Sequence, residues 1–179
     1  MSDSEPRMIV ITGFMAAGKT TVARALARRL NCEMLDLDET IAEREKRTIP
    51  DLINEEGETN FREAETETLR EVLEKRAARV VALGGGAWTL SGNRALVAEH
   101  DCITVWLDAP FELCWQRITN QNVLRPLALD RKSTHELYLK RRPQYELAQL
   151  RIKMAAERSA EEISGEIERA LRRESFVKS

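Results

Sequence analysis

The sequence predicts an α/β fold in which a parallel sheet lies between layers of helices. Three observations carry that reading. Short apolar or β-branched runs alternate with stretches of helical period, the signature of repeated strand–helix units. The runs are brief and apolar, as strands covered on both faces should be. The first of them passes directly into a glycine-rich loop, Gly13-Phe14-Met15-Ala16-Ala17-Gly18-Lys19-Thr20, and an amphipathic helix follows.

Strands are expected at residues 8–12, 33–37, 80–83, 103–107 and 150–154. The helix after the first strand spans residues 21–30. Another begins near Thr48, Ile49, Pro50 and Asp51, with proline early in its first turn. A further helix starts at about Phe61 and aligns Phe61, Leu69, Val72 and Leu73 on a stripe beneath a charged face. Trp106 falls in the fourth strand and Trp115 in a helix, both expected in the core. From residue 119 to 133 the pattern fails; Asn120, Gln121, Asn122, Arg125, Pro126 and Arg131 read as an exposed loop. Beside a phosphate site such a loop suits a mobile lid, placed at about residues 120–133. The last helix opens on a capping-box pattern, Ser159-Ala160-Glu161-Glu162, and carries Ile163, Ile167, Ala170 and Leu171 at helical spacing. No repeat or linker divides the 179 residues. They read as one domain, with a core at 8–173 and looser ends.

The loop at 13–20 is a complete G-x-x-x-x-G-K-[ST] pattern. Strand, loop and helix aim several backbone N–H groups and a helix N-terminus at one point, a cradle for nucleotide β- and γ-phosphates. Lys19 adds positive charge there, and the Thr20 hydroxyl suits Mg²⁺. An ordinary glycine turn has no need of a strand before it and a helix after. The second strand ends in Leu35-Asp36-Leu37-Asp38. Strand alternation puts both carboxylates on one side at the C-terminal end, where open α/β sheets bind ligands. One could organise a Mg²⁺ shell and the other hold or deprotonate a hydroxyl. Asp38 could equally cap the helix that follows.

The remaining features are ambiguous one at a time. Arg62 and Glu65, three apart on a helix, read alone as a surface ion pair. Gly84-Gly85-Gly86 follows a buried strand and permits positive φ and close backbone approach to a bound molecule. Arg125 and Arg141 are rigid forks suited to carboxylate or phosphate, yet each alone reads as a solvated surface residue. Trp88 either lines the pocket or packs. His100 and His135 lack partners at metal-ligand spacing, so no zinc site is indicated.

In order along the chain, the phosphate loop, Asp36-x-Asp38, Phe61-Arg62-x-x-Glu65, Gly84-Gly85-Gly86, Arg125-Pro126-Leu127 and Arg141-x-Pro143-x-Tyr145 resemble the shikimate kinase family. The resemblance runs from Met8 to about Leu171. It implies a P-loop, nucleoside-monophosphate-kinase-like fold with a five-stranded parallel sheet ordered 2-3-1-4-5. The activity implied is transfer of the ATP γ-phosphoryl to the 3-hydroxyl of shikimate. ATP would be held by Gly13, Ala16, Ala17, Gly18, Lys19, Thr20, Thr21, Arg117 and Arg125. Thr20 and Asp36 would serve Mg²⁺. Shikimate would be held by Asp38, Arg62, Gly84, Gly85, Gly86 and Arg141 in a segment centred on residues 38–65 and the glycine loop. Lys19, Asp38 and Arg125 would be catalytic, Asp38 as a base and Arg125 coming down with the lid. Arg117 falls near the arginine that stacks on adenine in the family. Three departures stand out. Ala16 replaces a usual glycine. Ile53 stands where an aromatic commonly walls the shikimate pocket, which keeps Ile49 and Phe61. Residues 155–159 lack the proline that often flanks adenine.

A formal net charge of −2 gives no electrostatic footprint for nucleic acid or anionic membrane, and no apolar run approaches a membrane span. Three scattered cysteines and a short polar N-terminus suggest reduced thiols and a cytoplasmic location. A monomer is expected. The rivals are another small-molecule kinase of this fold, such as a gluconate kinase, or a silent paralogue that binds ATP or a metabolite. The set of Asp38, Arg62, the triple glycine and Arg141 speaks against the first. The second would lack Asp38, Arg125 or Arg141, and all three are present.

Overall fold

The computed structural model of the protein describes residues 6–120 and 130–177. Five strands form one parallel sheet: β1 (Ile9–Thr12), β2 (Met34–Asp36), β3 (Val80–Ala82), β4 (Ile103–Asp108) and β5 (Leu150–Lys153). Their order is β2-β3-β1-β4-β5, as the resemblance implied. β1 sits at the centre, with Ile9 opposite Val80 of β3 and Ile103 of β4. All four of its residues are buried, which is why its sequence carries no polar alternation. β5 lies at the edge and exposes Arg151 and Lys153, charges that discourage pairing with another chain.

Seven helices cover both faces: α1 (Lys19–Leu30), α2 (Leu37–Glu45), α3 (Ile49–Glu74), α4 (Ser91–Glu99), α5 (Phe111–Asn120), α6 (Arg131–Tyr145) and α7 (Ala160–Val177). A 3₁₀ turn spans Ala87–Thr89. α7 begins on the expected capping box. The Ser159 N–H donates to Glu162 Oε2 at 2.8 Å, and the Glu162 N–H donates to Ser159 Oγ at 3.2 Å. α7 packs on α1, where Arg29 donates to the Ser164 hydroxyl and the Glu161 carbonyl.

The structure corrects several expectations. β2 stops at Asp36 and Leu37 opens α2, so strand alternation does not align the two aspartates. The N-cap of α2 is Asp36, not Asp38: its Oδ1 accepts from the N–H groups of Asp38 (3.0 Å) and Glu39 (3.2 Å). The helices expected at Thr48 and Phe61 run on as α3, interrupted at Gly57 with φ 86° and ψ 163°. A Cβ at Gly57 would meet nothing, so the backbone angles alone call for glycine there. Residues 131–133 belong to the first turn of α6, because Asp130 caps it through the Ser133 N–H at 2.9 Å. Of the expected lid, residues 121–129, including Arg125, lie outside the described residues. Trp106 is buried, whereas Trp115 is only half-buried and stacks on Phe111.

Candidate active site

The phosphate loop leaves buried β1 and turns into α1 through Gly18, which takes the left-handed region at φ 98°. No side chain caps α1. Its first residues, Lys19, Thr20 and Thr21, instead line a cavity of about 730 Å³ together with Ala16, Gly18, Asp36 and Arg117. Lys19 Nζ donates to the carbonyls of Gly13 and Phe14, each at 3.0 Å, so the ammonium lies along the loop. The Thr20 hydroxyl donates to Asp36 Oδ2. From α5, Arg117 Nη1 donates to the carbonyls of Ala16 (3.1 Å) and Ala17 (3.2 Å). This arginine braces the loop's backbone as well as lining the cavity. Ala16 itself sits at φ 60°, a left-handed conformation in which a Cβ is costly.

A second cavity of about 630 Å³ adjoins the first. Ile49, Ile53 and Phe61 form its apolar wall. Arg62, Glu65, Asp38, Arg141 and the three glycines form its polar wall. Arg62 Nη1 pairs with Glu65 Oε2 at 2.7 Å, and Arg62 Nη2 reaches Glu58 at 3.2 Å. This is no surface pair, because the Glu65 side chain is fully buried. Burial lifts the Glu65 carboxyl to about 6, against the pull of Arg62. For Arg62 burial opposes the charge, but Glu65 and Glu58 outweigh it and hold the guanidinium above its ordinary range. Arg141, on α6, is 7% exposed.

Of the two reasons the sequence suggests for the triple glycine, positive φ is not one the structure uses. None of the three takes a positive φ. A Cβ on Gly84 would stand 2.5 Å from Asp38 Oδ1 and 2.9 Å from Glu65 Oε1. On Gly86 it would stand 2.6 Å from Arg62 Nη1. The glycines therefore let three side chains, Asp38, Glu65 and Arg62, close on the loop. Trp88, just beyond, is buried and donates its indole N–H to the Gln144 carbonyl at 2.9 Å. It packs, and it borders neither cavity.

Both cavities are lined by Met15, Asp38, Glu39 and Gly85. Asp38 thus stands on the wall between a phosphate cradle and a chamber bearing two arginines. Of the expected site, Ala16, Gly18, Lys19, Thr20, Thr21, Asp36, Asp38, Arg62, the three glycines, Arg117 and Arg141 line one cavity or both. Gly13 and Ala17 line neither and touch the site through their carbonyls, which accept from Lys19 and Arg117. Sequence reasoning saw Glu65 only as the partner of Arg62. It gave no role to Met154 or Arg158, which line the first cavity from the far end of the chain. No local pattern marks either. Among the described residues no group of three or more His, Cys, Asp or Glu side chains could hold a metal ion.

A family model described as shikimate kinase matches residues 15–172. A shikimate kinase of Salinibacter ruber is 40% identical over 173 residues, covering 90% of this chain and 83% of that protein. A shikimate kinase from Acinetobacter baumannii, solved in complex with shikimate, is 34% identical with a TM-score of 0.87, covering 95% of each chain. A gluconokinase from Sinorhizobium meliloti, 19% identical with a TM-score of 0.62 over 97% of this chain and 98% of that one, shares the fold alone. The chain belongs to the shikimate kinase family.

Proposed function

We propose that this member of the shikimate kinase family transfers the γ-phosphoryl group of ATP to the 3-hydroxyl of shikimate, yielding ADP and shikimate 3-phosphate. One observation carries the reading: Asp38 borders both cavities, so a hydroxyl held in the second lies beside phosphates held in the first. In the first, the backbone around Gly13, Ala16, Ala17 and Gly18 and the start of α1 would receive the phosphates, with Thr21 beside them. Lys19 would turn from the loop carbonyls to the β- and γ-phosphates, and Arg117 would hold the loop in shape. The contact between the Thr20 hydroxyl and Asp36 is a pair of hard oxygen donors of the kind Mg²⁺ takes alongside phosphate and water. When bound, the ion neutralises charge on the phosphates.

In the second cavity, Arg62 and Arg141 would face the substrate carboxylate, where forked guanidiniums give charge-assisted bonds and orientation. The backbone of Gly84, Gly85 and Gly86 would border the ring. Asp38 would hold the ring hydroxyls and take the proton of the attacking one. Arg125, outside the described residues, is assigned to the transferring phosphoryl on the resemblance alone. The reading extends to one kinase domain over residues 1–179, working as a cytoplasmic monomer on a small molecule rather than on nucleic acid or membrane. A net charge of −2 supports it, and no helix of the described residues is long and apolar enough to cross a membrane.

A coupled ADP-release assay with shikimate, quinate, gluconate or no acceptor tests the proposal. ADP release should depend on Mg²⁺ and on shikimate. Preference for gluconate, or release indifferent to every acceptor, refutes it.

A further inference from the structure

α6 carries Arg141 and Tyr145 in adjacent turns. Arg141 lines the second cavity, whereas Tyr145 borders neither cavity and is 1% exposed. One helical turn on from Arg141 along α6, the Tyr145 hydroxyl donates to the Gly85 carbonyl. The ring cannot easily turn away. It stacks on Trp106, with centroids 6.4 Å apart and planes 25° apart. Trp106 in turn carries the guanidiniums of Arg142 and Arg151 at 5.0 and 4.9 Å, and both are paired with Asp108. One residue earlier, the Gln144 carbonyl accepts from Trp88 on the turn that follows the glycine loop. Asn93 and Arg94 of α4 hold that same turn through the carbonyls of Ala87, Trp88 and Thr89.

Three successive glycines make the loop the stretch with the most backbone freedom in the site. A loop that must present its backbone beside two reactive side chains needs an external restraint. Tyr145 supplies one at its central residue.

We infer that Tyr145 is a positioning residue for the acceptor: its buried hydroxyl ties the Gly84–Gly85–Gly86 loop to α6, the helix that carries Arg141, so the two parts that receive the substrate keep a fixed spacing. The inference rests on the assignment of the second cavity to shikimate. An ordinary core tyrosine in this place would affect stability and leave substrate preference alone, and that difference is measurable.

The test is Tyr145→Phe, which keeps the ring and its stack on Trp106. The Gly85 carbonyl loses its buried donor, and the loop loses its tie to the helix that carries Arg141. KM for shikimate should rise roughly tenfold to a hundredfold, while KM for ATP and kcat at saturating shikimate stay within about threefold. When it is combined with Arg141→Ala, the two losses should add to less than their sum, because each loosens the spacing that both maintain. Unchanged shikimate KM in a folded Tyr145→Phe protein, or equal losses in both KM values and kcat in step with Tm, would overturn the inference. If Tyr145→Phe does not fold, wild-type protein labelled with 3-fluorotyrosine decides. Tyr138→Phe, which removes the other of the two tyrosines, assigns the ¹⁹F signals. The Tyr145 signal should shift on titration with shikimate and not with an ATP analogue; a signal indifferent to shikimate overturns the inference. A wild-type protein that does not phosphorylate shikimate at all sinks the functional assignment instead, and the ADP-release assay reports that separately.

Discussion

A single methyl group added at either end of the glycine loop should separate the two chemical roles of the second cavity. At Gly86 a new Cβ would lie 2.6 Å from Arg62 Nη1 and 2.7 Å from Cζ, and ordinary contact begins at 3.4 Å. Nη2 lies closer still, so the guanidinium must shift by roughly 1 Å. Gly86 has φ −102° and ψ −19°, angles that alanine accepts, so the fold itself is not strained. The yielding group is the end of a flexible side chain, and the stability cost should stay on the order of 1 kcal/mol. A displaced fork loses its alignment with a carboxylate, worth about 1.5–3 kcal/mol for a charge-assisted bond. Shikimate KM should rise roughly tenfold to a hundredfold, with kcat and ATP KM little changed.

At Gly84 the new Cβ would lie 2.5 Å from Asp38 Oδ1 and 2.9 Å from Glu65 Oε1. Here the displaced group is the proposed base. General-base catalysis contributes about 10²–10⁴-fold, and misplacement of a reacting group by about 1 Å can cost about 10²-fold. Gly84→Ala should therefore lower kcat by at least about 100-fold. Steady-state kinetics with both substrates varied, beside thermal melts, distinguish the two variants. The reasoning fails if Gly84→Ala keeps its kcat, or if Gly86→Ala raises both KM values alike.

Three further outcomes follow from the same geometry. Lys19→Ala should nearly abolish phosphoryl transfer in the coupled assay, because it removes the charge set on the β- and γ-phosphates; an active variant would mean that the loop is not the catalytic one. Ala16→Gly should relieve a left-handed alanine at φ 60° and raise unfolding free energy in urea by about 0.5–1 kcal/mol, less whatever the freer unfolded chain takes back; a loss of stability would contradict the strain. Burial raises Glu65 from 4.5 to about 6, so the folded protein holds this proton more tightly than the unfolded chain. That stabilisation is full below about pH 4.5 and is lost as pH rises through about 6, a swing of about 2 kcal/mol. Glu65→Gln lacks it, so urea titrations at pH 4.5 and pH 7.5 should show wild type losing that much relative to the variant, and parallel curves would refute the burial argument.

What could be read from sequence was what is local. The phosphate loop, the helix start near Thr48 and the capping box at Ser159 depend on neighbours a few residues away and stand where the pattern put them, and the strands stand within a residue of their expected ends. Side-chain environment is not local. Arg62 and Glu65 have the spacing of a surface pair, and only the placement of Asp38, Gly84 and Arg141 from distant segments makes Glu65 a buried carboxylate. The triple glycine was legible as a functional feature, but its cause was not. The atoms that forbid a Cβ belong to residues 38, 62 and 65, brought there by the neighbouring β2 and β3 and by α3. The resemblance pointed to residues 155–159 beside the nucleotide but not to Arg158 itself, because it enters the first cavity only after β5 has crossed to the sheet edge.

The two aspartates show how one misplaced boundary changes a chemical argument without destroying it. Had β2 continued, Asp36 and Asp38 would project from the same side of one strand and compete for the same neighbours. Instead the chain becomes helical at Leu37. At about 100° per residue, two helical steps swing the side chains far apart in direction. Asp36 is committed on both oxygens, Oδ1 to the first turn of α2 and Oδ2 to Thr20, and it lines only the phosphate cavity. Asp38, on the helix that Asp36 caps, borders both cavities and lies against Gly84. The cap that seemed to compete with catalysis at Asp38 belongs to its neighbour. By fixing the start of α2, it determines where Asp38 stands. Division of labour between the carboxylates therefore follows from the helix start, and a substitution that moves this start should disturb the acceptor side of the reaction even though Asp36 never touches the second cavity.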